Sequence, residues 1–537
     1  MRFWRINFLL TLLFLFGGII IGRLFFIQVH QGELYRALAQ GLYNINEKNE
    51  EKRGEIFFRN GEPLAINMDW SFVFSSPKKV KEKEKTAQKL SEVLGIDKNL
   101  IFEKLKKDSQ YEVIKKKLTS EEIENLEKLN LTGIYLRKEG GRYYPQETLA
   151  SQLIGFLDAQ KKGRYGVEGY YDEILQGERN KIGKDLILTI DYSIQFMAEK
   201  LLAEAKENLD IEGGEIVVAD PNTGEILALA NFPNFNPNQY SKVSNLDIFQ
   251  NPVTQKIFEP GSVFKPITMA VALEEQKITP QTTYVDTGKV KIGGYTIYNY
   301  DNRVWGERTM IEVLEKSINT GAVFVEEKIP HEIFLNYIAK FGIFTPTGID
   351  LKETYSENKE LKKGYEINFA TAAFGQGIEM TPIQLLRVYC AIANGGKLVR
   401  PHVVKEIRDR NKILEIKPKI EDDSVISSKT ASQLTAMLIS VVENGFAKRA
   451  KIPGYYIGGK TGTAQISYSA LNIDKKGYSD KTWQTFVGFA PAFNPKFVIM
   501  VKLDNPKTKT AEYSAVPLFY DLAKYLIDYY QIPPDYE

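Results

Sequence analysis

The chain has 537 residues, 43% of them hydrophobic and 12% aromatic, which is enough apolar material for more than one packed domain and excludes a disordered protein. With 26% charged residues and a net charge of only +2, its electrostatics give no argument for a nucleic-acid partner. A single cysteine, Cys390, excludes an intrachain disulfide and a thiolate zinc site; His30, His331 and His402 are too scattered for a ligand motif and read as structural or surface residues, so no metal or cofactor is expected.

The amino terminus, "MRFWRINFLLTLLFLFGGIIIGRLFFIQVH", is apolar over residues 6–22 and continues past Arg23 through 24–27. That approaches the roughly 20 residues that span a bilayer. Arg2 and Arg5 precede the run and favour a cytoplasmic amino terminus. The bulky sequence that follows offers no small-x-small cleavage site, so an uncleaved anchor at 6–27 is expected behind a cytoplasmic tail at 1–5. Arg23 then snorkels to the outer headgroups, Trp4 suits the inner interface, and the remainder lies outside the cytoplasm.

Next, "RGEIFFRNGEPLAIN" (53–67) predicts two short strands around the Asn60-Gly61 turn. A lysine-rich stretch follows in which Leu90 and Leu94 share one helical face, so its charges read as a solvated helix surface. Residues 28–180 are expected to form an elongated α+β spacer domain.

The composition changes at "GKDLILTIDYSIQFMAEKLLAEAKENL", where a strand runs into a helix with Ile194, Met197, Leu201, Leu202 and Ala205 at the helical period. "GEIVVAD" and "EILALA" flank the turn "PNTG" and predict a hairpin. Far downstream, "YIGGKTGTAQI", "QTFVGFAPA" and "KFVIMVKL" are further strands, with mostly helical sequence between the two sets. Strands at both ends of 181–537 imply one large α+β domain whose central sheet joins them.

The candidate chemistry begins with "KIFEPGSVFKPIT". Ser262 and Lys265 are three apart, so on a helix hydroxyl and amine can meet. Pro260 and Gly261 put the serine at the helix start, where free N–H groups favour a developing anion. Pro266 cannot donate to the Ser262 carbonyl, which predicts a local distortion. Lys265 can serve as a base only when neutral. Being half neutral at pH 7 means a pKa lower by about 3.4 than the usual 10.4, roughly 4.6 kcal/mol, which burial and a second cation can supply. Two more segments answer that need. "EKSINTGAVF" offers Ser317 and Asn319, which can both face one cleft from a turn, and "TMIE" (309–312) predicts a capping box ahead of it. "GGKTGTAQ" places Lys460, Thr461, Gly462 and Thr463 on a strand whose glycines let another backbone approach, as an edge strand holding an extended peptide needs. Lys460 and Thr461 can bind a carboxylate, and Lys460 is the second cation.

SxxK, SxN and KTG in that order are the motif set of penicillin-binding proteins and serine β-lactamases. With "GRYYP", "YGVEGYYDEILQG", "VADPNTGEILALA", "FGIFTPTGIDL", "FGQGIEMTPIQL" and "FVGFAPAFNPKFVIMVKLDNP", the chain resembles a class B penicillin-binding protein over nearly its whole length, and the septal branch more than the elongation branch. The resemblance implies a transpeptidase domain with a central antiparallel sheet and helices on both faces, preceded by the spacer and one transmembrane helix. It implies a peptidoglycan D,D-transpeptidase in which Ser262 attacks between the terminal D-alanines of a stem peptide and Lys265 takes its proton. Ser317 and Asn319 would relay protons and position the peptide. Lys460, Thr461, Gly462 and Thr463 would line the substrate's carboxylate, with the N–H groups of Ser262 and Thr463 as oxyanion hole. β-Lactams would acylate Ser262. Expected partners are a membrane-embedded glycosyltransferase, since no such module fits the amino-terminal length, and division-complex proteins.

Departures from the family pattern are Phe58, where an aspartate is usual, and "TGIDLKET", which lacks the usual Pro-Gly-Glu. The small carboxy-terminal repeats of some relatives are also missing. The alternatives are a D,D-carboxypeptidase or β-lactamase with the same motifs, and a non-catalytic β-lactam sensor or scaffold.

Overall fold

The computed structural model describes residues 2–26, 53–177, 182–409 and 412–537. His30, residues 27–52 and residues 178–181, which the sequence assigns to the anchor's end and the spacer, lie outside the described residues. The described chain forms two compact units that interleave in sequence: 2–26 with 67–143, and 53–66 with 144–177 and everything from 182 onward.

In the first unit, the amino-terminal helix spans Arg2–Phe25. Among the described residues no helix is long and apolar enough to cross a membrane, so the anchor expected at 6–27 has no structural support beyond this helical backbone. Residues 67–143 hold helices Lys83–Leu94, Lys98–Lys106 and Ser120–Leu129. Leu90 and Leu94 are buried with Ile101, Leu105 and Leu126 in a small core, while Glu84 and Lys85 are exposed. The charges of this stretch are thus a solvated surface. Thr119 caps the third helix in a reciprocal box with Glu122.

In the second unit, Ile56–Phe57 pairs antiparallel with Pro63 and Ala65, giving the expected hairpin, and also runs parallel to Asp185–Leu188. What holds it is a buried ion cluster. Arg53 contacts Glu168 at 2.7 Å and Asp172 at 2.8 Å, and the Tyr144 hydroxyl donates to Glu168 at 3.2 Å. Three segments far apart in sequence therefore meet around the Glu168 carboxylate. Phe58, in place of the usual aspartate, is fully buried and meets Tyr192 edge-on at 5.4 Å. In "TGIDLKET", Glu353 accepts from the N–H groups of Thr347 and Gly348, and Asp350 from those of Val403 and Val404.

The central sheet has five strands, all antiparallel, in the order Gly458–Ser467, Tyr478–Ala490, Phe497–Asp504, Gly213–Ala219, Ile226–Phe232. Strands from both ends of the domain are adjacent in it, as the pattern predicted. Gly213–Ala219, residues 497–503 and the second half of Tyr478–Ala490 are buried, so both faces of the sheet are covered there. On one face Phe519 of the helix Ala515–Tyr529 packs on Phe486, and a side chain at Gly488 would collide with it. Side chains alternate along a strand, so Lys460 and Gly462 take the opposite face. Gly458–Ser467 is an outer strand, with a strand on one side only.

Replacing Arg53 with alanine strands the buried Glu168 carboxylate, and loss of one partner of such a pair costs about 3–5 kcal/mol. Denaturant melts of wild type and Arg53→Ala should differ by about that amount; coincident melts would show that the cluster does not hold this unit together.

Candidate active site

Ser262 lies in a tight 3₁₀ turn, Gly261–Phe264, that leads into the helix Lys265–Glu274. The turn is the distortion expected at Pro266. A regular helix would send an N–H from position 266 to the Ser262 carbonyl; proline has none, and the Lys265 N–H takes the carbonyl instead. The turn is fastened from behind. The Gly261 N–H donates to the Gly375 carbonyl at 2.9 Å and the Tyr389 hydroxyl to the Val263 carbonyl at 2.8 Å. Gly375 permits this approach, since a Cβ there would stand 2.0 Å from the Gly261 oxygen. The "FGQG" segment, to which sequence reasoning gave no role, is the backing of the nucleophile's turn.

Ser317 and Asn319 sit between the helices Met310–Glu315 and Asn319–Glu326, and the capping box of Thr309 with Glu312 is present. Ser317 has φ +53°, a left-handed conformation that costs a non-glycine residue about 1–2 kcal/mol. That kink brings both side chains to one amine: Lys265 Nζ lies 3.2 Å from Ser317 Oγ and 2.8 Å from Asn319 Oδ1.

Lys460 comes from the outer strand. Gly462 lets that strand lie on the nucleophile's turn, where a Cβ would meet the Pro260 carbonyl at 3.0 Å and the Val263 nitrogen at 3.2 Å. The backbone that this glycine admits is therefore the chain's own, a correction to the expectation that the motif's glycines serve an extended peptide. Lys460 Nζ donates to Ser317 Oγ at 3.0 Å and to the Thr461 carbonyl at 3.0 Å. Thr461 is buried, with Oγ1 3.5 Å from Lys460 Nζ; half-buried Thr463 accepts from the Ala511 N–H through Oγ1 at 3.2 Å.

The surroundings of Lys265 bear on its protonation state. Its Nζ is 2.6 Å from the Ser317 carbonyl oxygen, 2.8 Å from Asn319 Oδ1 and 3.0 Å from Ser262 Oγ. The Asn319 amide nitrogen donates to the Tyr298 carbonyl at 3.1 Å, which leaves its oxygen facing the lysine. Both carbonyl oxygens can only accept. When the amine is neutral and its two hydrogens lie on these oxygens, its lone pair is free for the Ser262 proton. Burial pushes the Lys265 amine well below its ordinary pKa, and the Lys460 charge lowers it further. Lys460, also fully buried, is lowered by burial to about 7. Lys265 is lowered by its neighbour's charge in addition to burial, which favours the neutral form there.

Beside this cluster a cavity of about 700 Å³ is lined by Glu259, Ser356, Asn358 and Glu379 among others. Glu259 accepts from the Tyr478 hydroxyl at 2.9 Å, which ties the polar segment after the KTG strand to the approach to Ser262. Glu259 and Glu379 lie within the segments "KIFEPGSVFKPIT" and "FGQGIEMTPIQL", in which the sequence alone gave them no role. Away from the site, His331 stacks on Phe369 and His402 is buried beside Glu225, as residues with structural roles.

Comparison with known proteins agrees with this geometry. Residues 214–524 match the penicillin binding protein transpeptidase domain, and residues 48–184 the penicillin-binding protein dimerisation domain. The chain is 33% identical to the stage V sporulation protein D of Bacillus subtilis (strain 168), over 93% of this chain and 82% of that one. It is 29% identical to the peptidoglycan D,D-transpeptidase FtsI homolog of Mesostigma viride, over 99% and 97%. Among solved structures, penicillin binding protein 3 of Mycobacterium tuberculosis complexed with aztreonam superposes with a TM-score of 0.71 at 26% identity, covering 90% of this chain and 97% of that one. The fold and the lysine-serine cluster define a serine acyltransferase of the penicillin-binding type, and the chain belongs to the class B penicillin-binding proteins.

Two pH effects follow. Both amines are depressed in the fold, so between about 7 and the ordinary lysine range near 10.5 the unfolded chain binds more protons, and stability should rise with pH across that window. Acylation should fall as acid protonates Lys265. Removing the neighbouring cation makes a charge on Lys265 easier to hold, so Lys460→Ala should move that acid limb to higher pH. Acylation rates of both proteins against pH check this, and an unmoved limb would show that Lys460 does not act on Lys265 through its charge.

Proposed function

We infer that the protein is a peptidoglycan D,D-transpeptidase that cross-links stem peptides in septal wall synthesis. The observation that carries this reading is the position of Lys265 Nζ, 3.0 Å from Ser262 Oγ and within 2.8 Å of two carbonyl oxygens that can take the hydrogens of a neutral amine. Ser262 Oγ attacks the carbonyl between two terminal D-alanines while its proton passes to Lys265. The negative charge on the tetrahedral oxygen falls to the N–H groups of Ser262 and Thr463, and the substrate's terminal carboxylate to Lys460, Thr461 and Thr463. Ser317 Oγ lies within 3.2 Å of both amines and is the route by which a proton reaches the departing D-alanine nitrogen. An amine of a neighbouring stem peptide then attacks the ester, forming the cross-link and releasing Ser262. A β-lactam enters the same sequence, but its ring-opened acyl group stays on the serine.

The outer position of Gly458–Ser467 supports strand-wise docking of the donor peptide along this edge. The septal setting rests on relatives named FtsI, and the acceptor amine, in preference to water, on relatives named D,D-transpeptidases. The single-span anchor at 6–27 is supported by the apolar run and the arginines before it. It would hold the catalytic unit on the outer side of the cytoplasmic membrane, beside a glycosyltransferase and division-complex proteins.

Fluorescent penicillin should label Ser262 in the wild type and leave Ser262→Ala unlabelled. Lys265→Ala should fold and acylate slower by at least about a hundredfold, as loss of a general base requires. Incubated with lipid-linked precursor and a polymerising glycosyltransferase, the wild type should yield cross-linked dimers; products lacking only D-alanine would make it a carboxypeptidase.

A further inference from the structure

The Asn319 amide has two ends with different tasks, and only one orientation serves the acyl transfer inferred above. Its nitrogen donates to the Tyr298 carbonyl and its oxygen faces Lys265. Rotated by half a turn, it would turn N–H groups toward the amine in place of the acceptor oxygen at 2.8 Å. What fixes the orientation is therefore whatever holds the Tyr298 carbonyl and the first residues of the Asn319 helix in register.

Both are held by one carboxylate. Asp286 ends the strand Thr283–Asp286, which pairs with Gly306–Thr309, and the strand Tyr295–Tyr298 lies between the two in sequence. It is 2% exposed. Its Oδ1 accepts from the Thr320 hydroxyl at 2.6 Å, the Gly288 N–H at 3.0 Å and the Asn299 amide at 3.0 Å. Its Oδ2 accepts from the same Asn299 amide at 2.9 Å and the Trp305 N–H at 2.8 Å. The Asn299 oxygen accepts in turn from the Thr320 N–H at 3.1 Å. Asn299 adjoins Tyr298 and Thr320 adjoins Asn319, so the carboxylate grips the chain neighbour of each partner in the Asn319–Tyr298 hydrogen bond. All its contacts are donors, which suits a carboxylate and not an amide.

We propose that Asp286 is a positioning residue for acylation: through Asn299 and Thr320 it sets the orientation of the Asn319 amide, and thereby which hydrogens of Lys265 are engaged when Ser262 attacks. Asp286 touches none of the reacting atoms. Its effect is on the rate of the covalent step and not on the docking of the substrate.

The test rests on the transpeptidase reading and uses the full chain. The rate of fluorescent-penicillin acylation is followed against drug concentration, which separates the initial non-covalent affinity from the limiting acylation rate. Asp286→Asn places an N–H group among donors, and Thr320→Val removes the shortest of the contacts. Each should lower the limiting rate by at least about tenfold with affinity changed less than about threefold, the pattern of a misplaced group and not of a lost contact. Thr320→Ser keeps the hydroxyl and should restore a rate close to wild type. An unchanged limiting rate in Thr320→Val, or a smaller labelled fraction with an unchanged rate, would overturn the inference. Should Asp286→Asn fail to fold, the Thr320 pair decides the matter alone. A wild type that takes no label at Ser262 would instead overturn the acyl-transfer reading, and this inference with it.

Discussion

Two lysine amines buried on either side of one serine hydroxyl are the constraint on which the rest depends. Neither Lys265 nor Lys460 reaches solvent, and Ser317 Oγ is within hydrogen-bond distance of both. Two full charges at such a separation, without water to screen them, are costly. One proton fewer relieves that cost. A neutral Lys265 amine can then serve as a base for Ser262, 3.0 Å away, while a charge can stay on Lys460. One electrostatic conflict thus supplies both halves of the site.

Holding those groups together accounts for much of the surrounding structure. The outer strand lies so close on the nucleophile's turn that a Cβ at position 462 would stand 3.0 Å from the Pro260 oxygen, and the turn can press back on its support only because position 375 lacks one. Ser317 adopts a left-handed backbone, and with it the hydroxyl and the Asn319 amide both face Lys265. Around them the sheet is covered on both faces, so small displacements of the strand bearing Lys460 meet packed side chains. The geometry is fixed by close contact, without a disulfide, since the lone Cys390 is buried.

The interleaving of the two units has a similar origin. Residues 53–66 and 144–177 lie on either side of the first unit's sequence, yet they pack with the catalytic unit. Arg53 is nearly buried and needs carboxylates to offset its desolvation, and Glu168 and Asp172 provide them. A boundary drawn on composition alone near residue 180 does not register this, because the ion cluster forms between segments more than a hundred residues apart.

The sequence by itself determined the local elements and the identity of the reacting groups. Period two marked the strands of the central sheet, period 3.6 the helices that cover it, and the spacing of Ser262 to Lys265 within one turn carried its own chemistry. Local steric and hydrogen-bonding rules act over a few residues, so they can be read from a few residues; the distortion at Pro266 and the Thr309 box are of this kind. Tertiary structure alone decided which carbonyls take the Lys265 hydrogens, that Gly462 admits the chain's own backbone, and that Asp286 lies behind Asn319. Those facts depend on side chains from remote segments meeting at distances near 3 Å, and no local pattern specifies such a meeting. It follows from the burial of the whole core, which orders groups that the chain by itself leaves apart.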